Sequence, residues 1–94
     1  MKGQNSVKRI MESAITAGWE VFEAEKGTAI IGEKRYINIL TDEGDSSFEV
    51  AASNERDFIN KIGELADREF AVNESIAEVL TELYFLKDTG FSVF

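Results

Sequence analysis

The chain contains no cysteine, no histidine and no proline. Without thiol and imidazole groups it cannot form the usual nitrogen and sulfur zinc site. The same absences exclude thiol nucleophiles, serine–histidine–aspartate triads and imidazole bases. Proton transfer is left to carboxylates, lysines, tyrosines and hydroxyls. We therefore expect a non-catalytic protein without metal or cofactor. The alternative is a small enzyme that uses carboxylates, with or without magnesium.

Long apolar runs are also missing. No stretch approaches the roughly 18 apolar residues that a membrane span needs. Residues 1–6 carry no apolar segment after their positive charge, so we expect no secretory signal and a cytoplasmic location. The 94 residues, 44% of them hydrophobic, suit one globular domain spanning residues 1–94.

Helical spacing of apolar residues marks the beginning of the chain. The pattern predicts a helix over Ser6–Ala17, with Gly18 as a left-handed stop. The residues predicted to face inward from this helix are Val7, Ile10, Met11, Ala14 and Ile15.

Two further helices are predicted at the other end. The second helix covers Glu55–Phe70 and the third covers Glu74–Lys87. Their predicted caps are Asn54 for the second, and Asn73 or Ser75 for the third, where Ser75 and Glu78 have the spacing of a capping box.

The region Trp19–Ala52 has the pattern of β-strands. Gly32 could mark a turn or a bulge, so three or four strands are predicted, with Thr41–Asp45 as a loop. The result is an α+β fold (α-β-β-β-α-α) with an antiparallel meander sheet and its helices on one face. The predicted strand segments are Trp19–Ala24, Thr28–Ile31, Tyr36–Leu40 and Ser47–Ala52, the last with Phe48, Val50 and Ala52 facing inward.

Two segments superficially resemble ligand-binding loops. Gly27–Lys34 has the glycines of a phosphate-binding loop, but its lysine is one place late and no serine or threonine follows it. Asp42–Ser47 resembles the start of a calcium loop, yet serines occupy the positions that require glycine and a bidentate glutamate. Both segments are better interpreted as parts of hairpins.

The charge of the chain is unevenly distributed. The net charge is −8; residues 1–41 carry six basic and five acidic side chains, whereas residues 42–94 carry four basic and thirteen acidic ones. So acidic a second half disfavours direct binding to nucleic acid, because the phosphate backbone would be repelled. It favours a basic protein surface as partner, although a charged surface that only serves solubility would have the same composition.

Two groups of carboxylates stand out in the acidic half. Three are spaced by four positions and would project from one face of the third helix, and three more surround a predicted hairpin turn. Arrayed on a rigid helix, carboxylates can stand in for phosphates and occupy a cleft meant for nucleic acid. The candidate partner-binding residues are Glu74, Glu78, Glu82, Asp42, Glu43 and Asp45.

The carboxyl end is rich in aromatic residues. These aromatic residues are more than one helix face can bury. Either a short final segment covers the core or the residues form a partner surface. Self-association as a homodimer, in a structural or adaptor protein of a phage or bacterium, is the alternative function. The residues concerned are Tyr84, Phe85, Phe91 and Phe94.

In size, acidity and element order, the chain resembles small phage-encoded anti-CRISPR proteins. The resemblance covers the helix at Ser6–Ala17, the strands within Trp19–Ala52, and the helices at Glu55–Phe70 and Glu74–Lys87. It is one of layout and charge, without a shared residue motif. It implies an inhibitor that sits on the DNA-binding surface of a nuclease.

Overall fold

A computed structural model describes residues 9, 12–32 and 36–86 of the chain. Helix α1 is described at residue 9 and over residues 12–16. It is followed by four strands and two helices, so the predicted α+β class is confirmed, with the order α-β-β-β-β-α-α. The bounds are β1 Glu20–Glu23, β2 Gly27–Ile31, β3 Tyr36–Thr41, β4 Gly44–Glu49, α2 Glu55–Glu69 and α3 Glu74–Phe85.

The strands form one antiparallel meander in the order β1-β2-β3-β4. Ile31 lies opposite Ile37 between β2 and β3, and Ile37 lies opposite Phe48 between β3 and β4. Residues opposite one another in neighbouring strands point to the same face, so this register lines up the apolar side chains of three strands. Helix α3 packs against that face, and α2 packs against α3.

The core lies between this sheet face and the two C-terminal helices. Helix α3 contacts α2 on one side and β2 and β3 on the other. Phe58 and Ile62 from α2 are fully buried there, four positions apart on one face of the helix. The core cluster consists of Ala29, Ile31, Ile37, Ile39, Val50, Phe58, Ile62, Ala66, Ile76, Val79, Leu80 and Leu83.

The opposite face of β2 is covered as well. Thr28 and Ile30 alternate with the core residues along β2, and both are buried. The Trp19 ring lies beside Gly32, 3.4 Å from the position that a Cβ there would take. The burial of Thr28 and Ile30 shows that β2 is covered on this face too, in addition to the predicted helices on the other face.

The described part of α1 confirms some predictions and corrects one. Ala14 is buried, and Gly18 has the left-handed φ of 84° that ends the helix. Ile15 was predicted to face inward but is 62% exposed. One position further along a helix is about 100° further around its axis, so Ile15 points away from the side that buries Ala14. Val7, Ile10 and Met11 lie outside the described residues.

Strand β4 begins earlier and ends earlier than predicted. The segment Thr41–Asp45, predicted as a loop, contains only a two-residue turn, and Gly44 takes a φ of 140° at its end. Pairing with β3 extends the strand through polar residues of low β-propensity, which tolerate an edge position. Val50 and Ala52 lie beyond the strand but still face inward, Val50 buried and Ala52 packed at the margin of the core.

Helix α2 begins at the predicted cap. The Asn54 side chain accepts a hydrogen bond from the Asp57 N–H at 2.9 Å, and the Asp57 carboxylate accepts one from the Ser53 N–H at 3.0 Å. The first bond satisfies a backbone donor that the first turn leaves unpaired, and the second ties that turn to the residue before the cap. The bond from Ser53, together with nearby Lys61, lowers the pKa of Asp57.

Helix α3 is capped by Asn73, whose side chain accepts a hydrogen bond from the Ile76 N–H at 3.2 Å. The capping box predicted for Ser75 and Glu78 is wrong. Ser75 lies within the first turn and is buried, and its hydroxyl donates to Glu43 at 2.8 Å. Asn73 can take the cap position because its backbone is extended there.

Gly27 is the glycine whose replacement we expect to damage the sheet most. A Cβ at this position would overlap the carbonyl oxygen of Leu40 and lie 2.8 Å from Cγ2 of Thr41. The backbone oxygen cannot move without distorting the β2–β3 ladder. We expect Gly27→Ala to lower the free energy of unfolding, measured in urea, by about 2–3 kcal/mol.

Gly32→Ala is the matched control. Its Cβ would meet the Trp19 ring at 3.4–3.7 Å, which is ordinary van der Waals contact. We expect a change below about 1 kcal/mol. Equal losses in the two variants would contradict the close approach of Gly27 to β3.

Candidate functional site

Helix α3 leaves one strip of its surface to solvent. Because α2 and the sheet cover two of its sides, the positions still open are spaced by three or four along the chain. Glu74 and Glu82 are exposed, and Glu78 between them is half-buried. Their Cα atoms are about 6 Å apart along the axis, since four residues rise 1.5 Å each. Phe85 is exposed on the same strip, one turn beyond Glu82.

Both hairpin turns near α3 lie at one end of the sheet. Consecutive turns of a meander alternate between the two ends, so the β1–β2 and β3–β4 turns share an end. The β1–β2 turn is closed by a hydrogen bond from the Ala24 N–H to the Gly27 carbonyl at 2.8 Å. The β3–β4 turn consists of Asp42 and Glu43.

Helix α3 runs from one turn to the other. Near its beginning, the Ser75 hydroxyl donates to Glu43 Oε2 at 2.8 Å; further along, the Glu25 N–H donates to Glu82 Oε2 at 3.3 Å. Ser75 and Glu82 are about 10 Å apart along the helix axis, and two strand spacings are also about 10 Å. The helix therefore matches the separation of the turns.

The structure thus brings the predicted groups together at this end of the molecule. We call the surface formed by the α3 strip and the β3–β4 turn the acidic end. It contains all six predicted residues, namely Glu74, Glu78, Glu82, Asp42, Glu43 and Asp45. Glu25 belongs to it too and was missed, although the alternation of meander turns could have indicated it.

Not every carboxylate of the acidic end has the same role. Asp45 Oδ1 accepts a hydrogen bond from the Thr41 N–H at 3.2 Å, and the Thr41 hydroxyl accepts one from the Glu43 N–H at 3.2 Å. Asp45 therefore helps to hold the turn. Glu43 and Glu82 tie the turns to α3 through one oxygen each, which fixes the direction of their carboxylates.

The charge of the acidic end is not neutralised within the described part of the chain. None of the six carboxylates forms an ion pair there with a basic side chain; the ion pair that Lys61 forms is with Asp57 on α2, at 3.4 Å. Lys26, which follows Glu25 in the β1–β2 turn, is an exposed basic neighbour. Several carboxylates thus face solvent and are available to an external cation.

The aromatic residues predicted for self-association have different environments. Phe85 is 69% exposed, whereas Tyr84 is half-buried and packs against Gly63 of α2. Their rings are 5.6 Å apart in an edge-to-face arrangement. Phe91 and Phe94 lie outside the described residues. Sequence reasoning did not anticipate a second exposed apolar segment, Phe70 to Val72, between α2 and α3.

A cleft of about 420 Å³ lies elsewhere, between the end of β4 and α2. Its charged residues are Glu49, Lys61, Glu64 and Arg68, so opposite charges are balanced, and it contains none of the six predicted residues. Lys61 is already engaged, because it donates to the Ala51 carbonyl. In the described ranges, no three acidic residues are grouped so that they could hold a metal ion.

No family model, curated protein or solved structure matches the chain. Among the described residues, no helix is long and apolar enough to cross a membrane.

Proposed function

We propose that this chain is a non-catalytic binding protein whose acidic end occupies a basic, nucleic-acid-binding cleft of an enzyme. The observation that carries the proposal is that the exposed carboxylate strip of α3 adjoins the acidic β3–β4 turn, through the contact of Ser75 with Glu43, and that the six carboxylates have no basic partner among the described residues. A nuclease is the partner class that the resemblance to anti-CRISPR proteins implies. The cytoplasm, where such enzymes meet nucleic acid, is the location we propose.

The spacing of the α3 carboxylates suits phosphate mimicry. They recur about every 6 Å along a rigid helix. Adjacent phosphates of one DNA strand are about 7 Å apart, because each step combines a rise of about 3.4 Å with a rotation about the duplex axis. A cleft that binds successive phosphates through basic side chains could therefore bind Glu74, Glu78 and Glu82 in the same places.

The charge distribution supports association with a basic surface in a second way. An acidic end on a chain of net charge −8 produces a field that attracts a basic partner before contact. Such steering raises the association rate and weakens as salt screens the charges. Binding should therefore be fast at low ionic strength and strongly dependent on salt.

Self-association is the second candidate, and the exposure of Phe85 favours it. An apolar ring that is 69% exposed is a plausible contact between copies. Sedimentation separates the two functions: a monomer at all protein concentrations excludes a homodimer through this end. A dimer that persists after Phe85→Ser substitution would place the interface elsewhere.

Affinity capture from a bacterial lysate tests the proposal. The immobilised protein is exposed to lysate at about 50 mM and about 500 mM salt, a range over which a counterion-dependent complex dissociates. Each condition is run with and without added duplex DNA. We expect a nuclease or another DNA-binding protein, released by salt and by DNA. Recovery of only this chain, insensitive to both, would support the self-associating protein instead.

A further inference from the structure

The carboxyl end of α3 has three features that attract a cation. Glu82 provides an exposed carboxylate held by the Glu25 N–H. Phe85, three positions on, provides an exposed ring. Residues three apart on a helix are surface neighbours with Cβ atoms about 5–6 Å apart, so one ligand side chain can reach both the carboxylate and the ring.

The third feature is the helix terminus. The last turn of α3 contains no basic residue, although cations commonly occupy this position. The Leu86 N–H donates to the carbonyls of Leu83 and Tyr84. The end of an α-helix carries about half a negative charge, and here it adds to that of Glu82. Lys87, the next basic residue along the chain, lies outside the described residues.

The ring of Phe85 is open to a ligand. Tyr84 meets it edge to face, at an interplanar angle of 73°. Most of the Phe85 side chain nevertheless remains exposed, at 69% of its full accessibility. A flat cation can therefore lie on Phe85 while it bonds to Glu82.

We propose that this end of α3 binds an arginine side chain of the partner in preference to a lysine. A guanidinium group is planar, stacks on aromatic rings and donates two parallel hydrogen bonds to a carboxylate. A lysine ammonium group is compact and strongly hydrated, and gains less from the ring. The inference rests on the proposed function, because it names which basic residue of the partner faces Phe85.

Two synthetic peptides of equal length and charge provide the test, a ten-residue polyarginine and a ten-residue polylysine. Their affinities are measured by fluorescence anisotropy in about 150 mM salt, and the binding position by amide chemical shifts. We expect polyarginine to bind about three- to tenfold more tightly, with the largest shifts around Glu82 and Phe85. Phe85→Leu should reduce this preference, because it removes the stacking but not the carboxylate, and should leave the affinity for polylysine unchanged.

Phe70→Leu is the matched control, since Phe70 is 66% exposed but lies beyond the other end of α3. It should retain the preference for arginine. Equal binding of both peptides, or an unchanged preference in Phe85→Leu, would overturn the inference and leave the acidic surface intact. If neither peptide bound, even at low salt, the proposed function would be contradicted as well.

Discussion

Phe58→Ala should lower the free energy of unfolding by about 3–5 kcal/mol. Phe58 is fully buried and lies near the start of α2, in the cluster that joins the two C-terminal helices to the sheet. Its removal leaves a cavity that the surrounding side chains cannot fill without moving whole elements. Urea denaturation followed by circular dichroism measures the change.

Phe70→Ala is the comparison for this substitution. The same atoms are removed at the end of the same helix, but Phe70 is 66% exposed. We expect a loss of less than about 1 kcal/mol, because little apolar surface returns to water. Equal losses of stability in the two variants would contradict the burial of Phe58 in the core.

Reversal of the three α3 charges should have the largest effect on binding. In the variant Glu74→Lys, Glu78→Lys, Glu82→Lys, three attractions to a basic partner become repulsions, each opposed pair costing on the order of a kcal/mol or more. We expect an affinity loss of at least about 100-fold for the captured partner. Stability should fall by only about 1–2 kcal/mol, because the variant loses the hydrogen bond from the Glu25 N–H to Glu82 but changes no residue of the core cluster.

A second triple variant separates position from total charge. Glu49→Lys, Glu64→Lys and Asp67→Lys change the net charge by the same amount, but these exposed residues lie on β4 and α2, outside the acidic end. We expect less than about a fivefold loss, mainly in the association rate. Equal losses in the two triple variants, measured by surface plasmon resonance, would show that net charge alone determines binding.

Helix α2 shows how much of the fold local sequence signals predict. Asn54 and the stripe that contains Phe58 and Ile62 specify its start and its buried face, and the structure has both. Strand β4 shows the limit. Its polar residues have little β-propensity of their own and form a strand because they pair with β3. The sequence of the segment alone does not contain this information.

The candidate site also has a part that the local sequence predicts and a part that it does not. The period of four places Glu74, Glu78 and Glu82 on one helix face, and the exposed strip of α3 confirms that face. The alternation of turns places Glu25 at the same end as Glu43, but the contacts of Glu43 with Ser75 and of Glu25 with Glu82 cannot be predicted from it. They depend on how α3 crosses the end of the sheet, which tertiary packing decides.

Competition with DNA tests the central claim most directly. A purified partner would be bound to this protein at equilibrium, and a duplex oligonucleotide that the partner binds would then be added at fixed ionic strength. If the acidic end occupies the nucleic-acid cleft, the apparent dissociation constant should rise in proportion to the DNA concentration, without a ternary complex. Simultaneous binding of DNA and this protein, with an unchanged constant, would contradict the account.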